Sequence, residues 1–146
     1  MIVAIPIDGR ERVYRDNPCT TTLFSLYEVT GDSQDVRYRH IENRLNPWEK
    51  YGGQMVTDPA RKACECEGTL SKNPSHISEH YIMLQAIGKC DILIAGRYCL
   101  NTLHAMKNVG IKIYRIPPFV KTAAAAIEHF IIGTEMTEHL RCIHPA

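Results

Sequence analysis

The residues from Ile92 to Ile116 constrain the fold most. Ile92–Ala95 (ILIA) is a continuous apolar run of strand length, closed by Gly96. A run without polar alternation suits a central strand covered on both faces. Cys99–Asn108 follows with helical spacing that would bury Leu100, Leu103 and Met106, and Gly110 ends it. Ile111–Ile116 is a second strand, halted by Pro117-Pro118. A strand, a helix and a strand of these lengths predict a parallel βαβ crossover, expected to be right-handed.

The rest of the chain builds around that unit. Ile2–Pro6 reads as a short buried strand, with Asp8-Gly9 as a turn. Thr22–Val29 (TLFSLYEV) is β-branched and aromatic, and Val36–Ile41 (VRYRHI) alternates with period two, so the pair predicts a hairpin. In that second strand Val36, Tyr38 and His40 face one way, and Arg37, Arg39 and Ile41 the other. From Asn73 the period changes. Asn73 or Ser75 can cap a helix with Pro74 in its first turn, Ile77, Tyr81, Leu84 and Ile87 form a stripe, and Gly88 ends it. Val120–Ile132 is a further helix, with Val120, Ala123, Ala124, Ile127, Phe130 and Ile131 on one face. The order β, β, β, α, β, α, β, α predicts an α/β fold: a mixed five-stranded sheet, an antiparallel meander plus a parallel βαβ unit, with helices on its faces. One domain spans residues 1–146, with an irregular insertion at about 43–73 and a polar, fraying tail after residue 133. Within the insertion Asp58–Cys66 could form a short helix.

Composition excludes some classes of function. The formal net charge is +1, from 17 basic and 16 acidic residues, which gives no electrostatic case for nucleic acid or for an anionic membrane. No apolar run approaches spanning length, and the start lacks the basic region of a signal peptide, so a cytoplasmic location is expected. In a reducing compartment the six cysteines (Cys19, Cys64, Cys66, Cys90, Cys99 and Cys142) are expected as thiols or metal ligands rather than disulfides.

Several of these segments carry a resemblance. IVAIPIDG at the start, TLFSLYEV, and CDILIAGRYCLNTLHAMKNVGIKIYR followed by TAAAAIEHFIIG resemble the dinitrogenase iron–molybdenum cofactor-binding domain family, that of NifX, NafY and the C-terminal part of NifB. The likeness covers Met1–Asp8, Leu23–Val29 and nearly all of Cys90–Gly133, and leaves out Asn43–Asn73. It implies a ribonuclease H-like fold, a non-catalytic role, and binding or carriage of an iron–sulfur or molybdenum–iron–sulfur cluster. A protein partner would receive the cluster. The chain departs from the family twice. RDNPCTTT stands where a His-Phe-Gly-Arg segment is common, and Arg97, Tyr98 and Cys99 stand where a glycine usually follows IAG. Both departures bring a thiol to the end of a strand.

Cys99 is the first candidate ligand, because it falls at the C-terminal end of a central strand and the start of a helix. The helix dipole there favours a thiolate, which iron–sulfur clusters and soft metals require. The alternative is a cysteine packed under a loop. Arg97 and Tyr98 adjoin it as candidate cofactor contacts. Under the resemblance Cys19 shares that edge, so the two thiols could converge. Cys64 and Cys66 form a Cys-x-Cys flanked by Glu65 and Glu67; they are either further ligands or part of an exposed acidic loop. His76 and His80, four apart, could grip a metal, but a solvated helix face is the preferred reading of that pair. His139, Cys142 and His144 in the tail could hold adventitious metal. Asp8 reads as a turn residue, since no convergent carboxylates support a two-metal nuclease. No Gly-x-Ser-x-Gly, Gly-x-Gly-x-x-Gly or Walker A loop is present. The sequence therefore predicts a metal-cluster-binding protein, or, as the alternative, a thiol-based redox or regulatory module without a stoichiometric cluster.

Overall fold

The computed structural model describes residues 1–32, 35–47 and 72–143. Five strands form one sheet: β1 (Ile2–Ile7), β2 (Leu23–Asp32), β3 (Asp35–Leu45), β4 (Ile92–Ala95) and β5 (Lys112–Arg115). Their order is β3-β2-β1-β4-β5. β1, β2 and β3 run as an antiparallel meander, while β4 lies parallel to both β1 and β5. The mixed sheet expected from the sequence is the sheet observed.

Strict alternation along β1 sorts the core into two layers. Val3, Ile5 and Ile7 join Ile92, Ile94, Ile127 and Phe130 on one face. Ala4 joins Phe24, Leu26, Leu93, Met83 and Met106 on the other. The first face is covered by the long helix α4 (Ala123–Ile143). The second is covered by α1 (Pro74–Glu79), α2 (Leu84–Ile87) and α3 (Leu100–Asn108). In β3 the register slips opposite Leu26/Tyr27, leaving Ile41 as an extra residue. Such a bulge puts Ile41 on the same side as its successor instead of the opposite one.

Four expectations shift. The helix predicted from Asn73 to Gly88 is broken into α1 and α2 by a turn over residues 80–83, although Asn73 caps it as expected, accepting from Ser75 N and His76 N. The buried positions of this segment are His76, His80, Met83, Ala86 and Ile87, so of the apolar stripe Ile87 is buried as expected while Ile77, Tyr81 and Leu84 are half-buried. In α3 Leu100 is 54% exposed, and in α4 Ala123 and Ala126 are buried while Ala124 is exposed. The tail is helical to Ile143 rather than frayed from residue 133. The possible helix at Asp58–Cys66 lies outside the described residues.

Gly133 shows why α4 can pass close to β5. A Cβ there would fall inside the van der Waals radius of the Tyr114 hydroxyl, which is hydrogen-bonded to His129 Nδ1 at 3.2 Å. In an open helix Gly→Ala would stabilise by about 1 kcal/mol. Here overpacking against a rigid ring should reverse the sign, and Gly133→Ala is expected to lower stability by about 1–3 kcal/mol. Thermal unfolding checks this; a raised midpoint would refute the close approach.

Candidate functional site

The C-terminal ends of β1, β4 and β5 point to one edge of the sheet, and three loops meet there. The loop after β1 folds back on itself. Asp8 Oδ1 accepts from Arg10 N at 2.9 Å and Arg12 N at 3.3 Å, so Asp8 is the turn residue expected. Val13 N then donates to Lys121 O at 2.8 Å, and Ala123 N donates to Glu11 O at 3.0 Å. The Arg15 guanidinium donates to the carbonyl oxygens of Pro117, Pro118 and Val120 and packs over Gly96. The loops after β1 and β5 are thus fastened together. A shallow recess of ≈ 420 Å³ lies between β4 and β5, lined by Gly96, Arg115, Ile116, Pro117 and Pro118.

Cys99 sits at this edge as the N-cap of α3, and its Sγ accepts from Thr102 N at 3.4 Å. Cysteine is an unusual cap, since oxygen side chains are preferred there. The residue is 6% exposed, and its sulfur has further partners. Asn17, fully buried at the start of the short 3-10 turn Pro18–Thr20, donates from Nδ2 to Cys99 Sγ at 2.9 Å. The orientation of that amide is fixed chemically. Asn17 Oδ1 accepts from Thr102 Oγ1 at 2.7 Å and from Cys19 N at 3.3 Å, so the other end of the amide must face the sulfur. Because the Thr102 hydroxyl proton is given to Asn17, its own 3.4 Å contact with Sγ adds no donor to the sulfur.

His80 approaches from the other side. It follows α1, is 0% exposed, and is hydrogen-bonded to Cys99. Its Nδ1 lies 2.8 Å from His76 O. A carbonyl can only accept, so Nδ1 carries a proton and Nε2 is the nitrogen left for Cys99. Burial alone would push His80 below the usual histidine range. The hydrogen bond to Cys99 and the charge of Cys99 outweigh it, with smaller help from His76 O and Glu79, and the net shift is upward. The His76 ring packs edge-on against His80, centroids 4.9 Å apart, and its Nδ1 lies 3.5 Å from Glu79 Oε2. The pair His76/His80 is therefore buried, and the solvated helix face preferred from the sequence is corrected.

The other candidates separate. Cys19 packs in the second apolar layer with Phe24 and Met83, and its backbone N–H ties it to the Cys99 network through Asn17. Arg97 is exposed and Tyr98 half-buried on the approach to Cys99. Cys64, Cys66 and His144 lie outside the described residues, as do the side chains of His139 and Cys142. Among the described residues no three His, Cys, Asp or Glu side chains come together as a metal cage. Two functional-looking residues were not singled out in the sequence, Asn17 and Thr102. Thr102 had a signal: Cys99-x-x-Thr102 has the spacing of a capping box. Asn17 had only its place before Pro18, which reads as a turn. Cys90 is a useful contrast, because burial, with Asp91 adding, pushes its thiol up to about 12.

No protein-family model matches the chain, and no curated protein matches it in sequence. Among the described residues no helix is long and apolar enough to cross a membrane. Two solved structures are similar. An NMR structure of "a putative NifB protein" from Thermotoga (TM1290), of the DUF35 family, aligns with TM-score 0.44 and 23% identity over 90% of this chain and 88% of that one. The crystal structure of PH0822 aligns with TM-score 0.53 and 16% identity over 91% of this chain and 92% of that one. The likeness to PH0822 shows a shared α/β fold, with a mixed five-stranded sheet.

Proposed function

We propose that the protein binds a thiophilic metal centre as cargo, either a soft metal ion or an iron–sulfur or molybdenum–iron–sulfur cluster, without catalysing a reaction on it. The observation that carries this reading is the pairing of Cys99 Sγ with the imidazole of His80 at the C-terminal edge of the sheet. Thiolate and imidazole are the donors that soft and borderline metals prefer. The chemistry of the two donors fits such a centre, and their number does not close it. Two protein ligands leave positions for cluster sulfide or for a receiving protein, as handover requires. Asn17 and Thr102 would orient the thiolate, as groups behind metal ligands commonly do. Cys64 and Cys66 stay as sequence-level candidates for additional ligands, and Arg97 and Tyr98 for contacts at the entrance.

Anaerobic incubation with iron, sulfide and molybdate, followed by metal analysis and visible absorption, tests the proposal. Wild type should take up stoichiometric metal. Cys99→Ala and His80→Ala should each lose about 10–100-fold in affinity or more. Equal uptake by wild type and Cys99→Ala would end this reading.

A further inference from the structure

We propose that β3 is a dimerisation edge, where a second copy of this chain adds its own β3 antiparallel and joins the two sheets into one. β3 closes the sheet at one end, and among the described residues no strand lies outside it. It is 11 residues long and exposed at every position but Val36. An open edge of that length is a template for another strand, and proteins usually blunt it with charges that repel a newcomer. Here the charges are arranged to receive a copy. β2 and β1 separate this edge from β4 and Cys99, so the proposal goes beyond metal binding and does not rest on it.

The bulge at Ile41 makes that arrangement. Residues opposite each other in a ladder share a face. Asp35, Arg37 and Arg39 lie opposite Asp32, Thr30 and Glu28, and Glu42 and Arg44 lie opposite Leu26 and Phe24. These charges therefore stand on one face, although positions 39 and 42 would fall on opposite faces of a regular strand. Arg37 pairs with Asp35 at 3.2 Å, Arg44 with Glu42 at 2.7 Å, and Arg39 with Glu28 at 3.1 Å. A two-fold axis at Arg39, with Ile41 left as the extra residue in both strands, sets Arg37 opposite Glu42 and Asp35 opposite Arg44 of the second copy, and the reverse by symmetry. The charge contacts are attractive except at the axis, where the two arginines are each already paired with Glu28. Sliding one strand by a residue pair in one direction sets Arg37 against Arg44. In the other direction it sets Asp35 against Glu42 and Arg37 against Arg39. One register is thus selected. On the opposite face it puts Tyr38 across from His40 of the second copy, extending the ring cluster that both make with Tyr27 at centroid distances of 6.2 and 5.2 Å. Pairing about a two-fold axis uses up the edge, so assembly stops at two.

Sedimentation velocity of the full chain, reduced and stripped of metal by chelation, tests the proposal. Wild type should pass from monomer to dimer over about a hundredfold rise in concentration. Hydrogen exchange of the β3 amides should slow at the high end of that range, and exchange of the β5 amides should not change. Arg37→Glu brings a glutamate against Glu42 twice in the dimer, and Glu42→Arg brings an arginine against Arg37 twice. Each variant alone should dimerise about tenfold or more weakly than wild type. Mixed in equal amounts, the two variants should recover a dimer, because both contacts across a mixed pair are again of opposite sign. A wild-type chain that stays monomeric, a dimer that either variant leaves unchanged, a mixture no tighter than its parts, or growth beyond two copies would each overturn the proposal. Circular dichroism shows whether the variants are folded. The exchange measurement on wild type needs no variant: slowing on β3 supports the edge, and slowing confined to other segments overturns it.

Discussion

Asn17→Ala should destabilise the protein by about 2–4 kcal/mol, more than its small size suggests. The amide is wholly buried and serves three partners on two segments: the Cys19 N–H, the Thr102 hydroxyl and the Cys99 sulfur. Removing it strands a buried N–H and takes a donor from the sulfur, and each buried orphan costs about 1–3 kcal/mol. No apolar gain offsets this, because alanine leaves the space unfilled. Asn17→Asp separates the two halves of the role. It keeps an oxygen for Cys19 N and Thr102, but sets a carboxylate against the sulfur. Asp should therefore retain more stability than Ala while suppressing the thiolate more strongly. Urea unfolding midpoints and thiolate ultraviolet absorbance check the two effects. A loss under about 1 kcal/mol for Asn17→Ala would mean the network is not formed.

The second large effect concerns His80. In the wild type its pKa lies above the ordinary histidine value because Cys99 overcomes burial. In Cys99→Ala burial is opposed only by His76 O and Glu79, and the pKa should fall below about 6.5. The pH dependence of stability should invert with it. A histidine raised on folding contributes stability that is complete below its unfolded value, about 6.5, and is lost as pH rises through the raised folded value. A depressed histidine does the opposite: protonation favours the unfolded chain, so stability falls as pH drops below about 6.5. The wild-type contribution of His80 is thus lost on the alkaline side, and that of Cys99→Ala on the acid side. NMR titration of the His80 ring protons, paired with urea melts across that range, measures both. An unchanged His80 titration in Cys99→Ala would show that the two side chains are not coupled.

The fold was legible because its strands are unambiguous. ILIA cannot be half-exposed, and the alternation of β1 assigns Val3 and Ala4 to opposite faces without knowledge of the rest. The helix edges were less legible. In the segment 74–87 a stripe built on apolarity takes Ile77, Tyr81 and Leu84 as inward, whereas the stripe that is buried contains two histidines. An imidazole counts as polar until its partners are known, and the partners of His80 come from residues 76 and 99. Cys99 was legible from its place after a central strand. Asn17 was not, because its meaning depends on Thr102, 85 positions away. The bulge at Ile41 was hidden for a similar reason, since only the pairing with β2 reveals an extra residue.

The fastening of the loops after β1 and β5 has an evolutionary consequence. Arg15 satisfies carbonyls of Pro117, Pro118 and Val120 that have no strand to pair with, and Val13 and Ala123 lace the same two loops. Adding or deleting a residue in either loop would shift every one of these contacts at once. The two loops are therefore fixed in length, and insertions and deletions should accumulate elsewhere. Descendants of this chain should keep both loop lengths and the Arg15 rim unaltered.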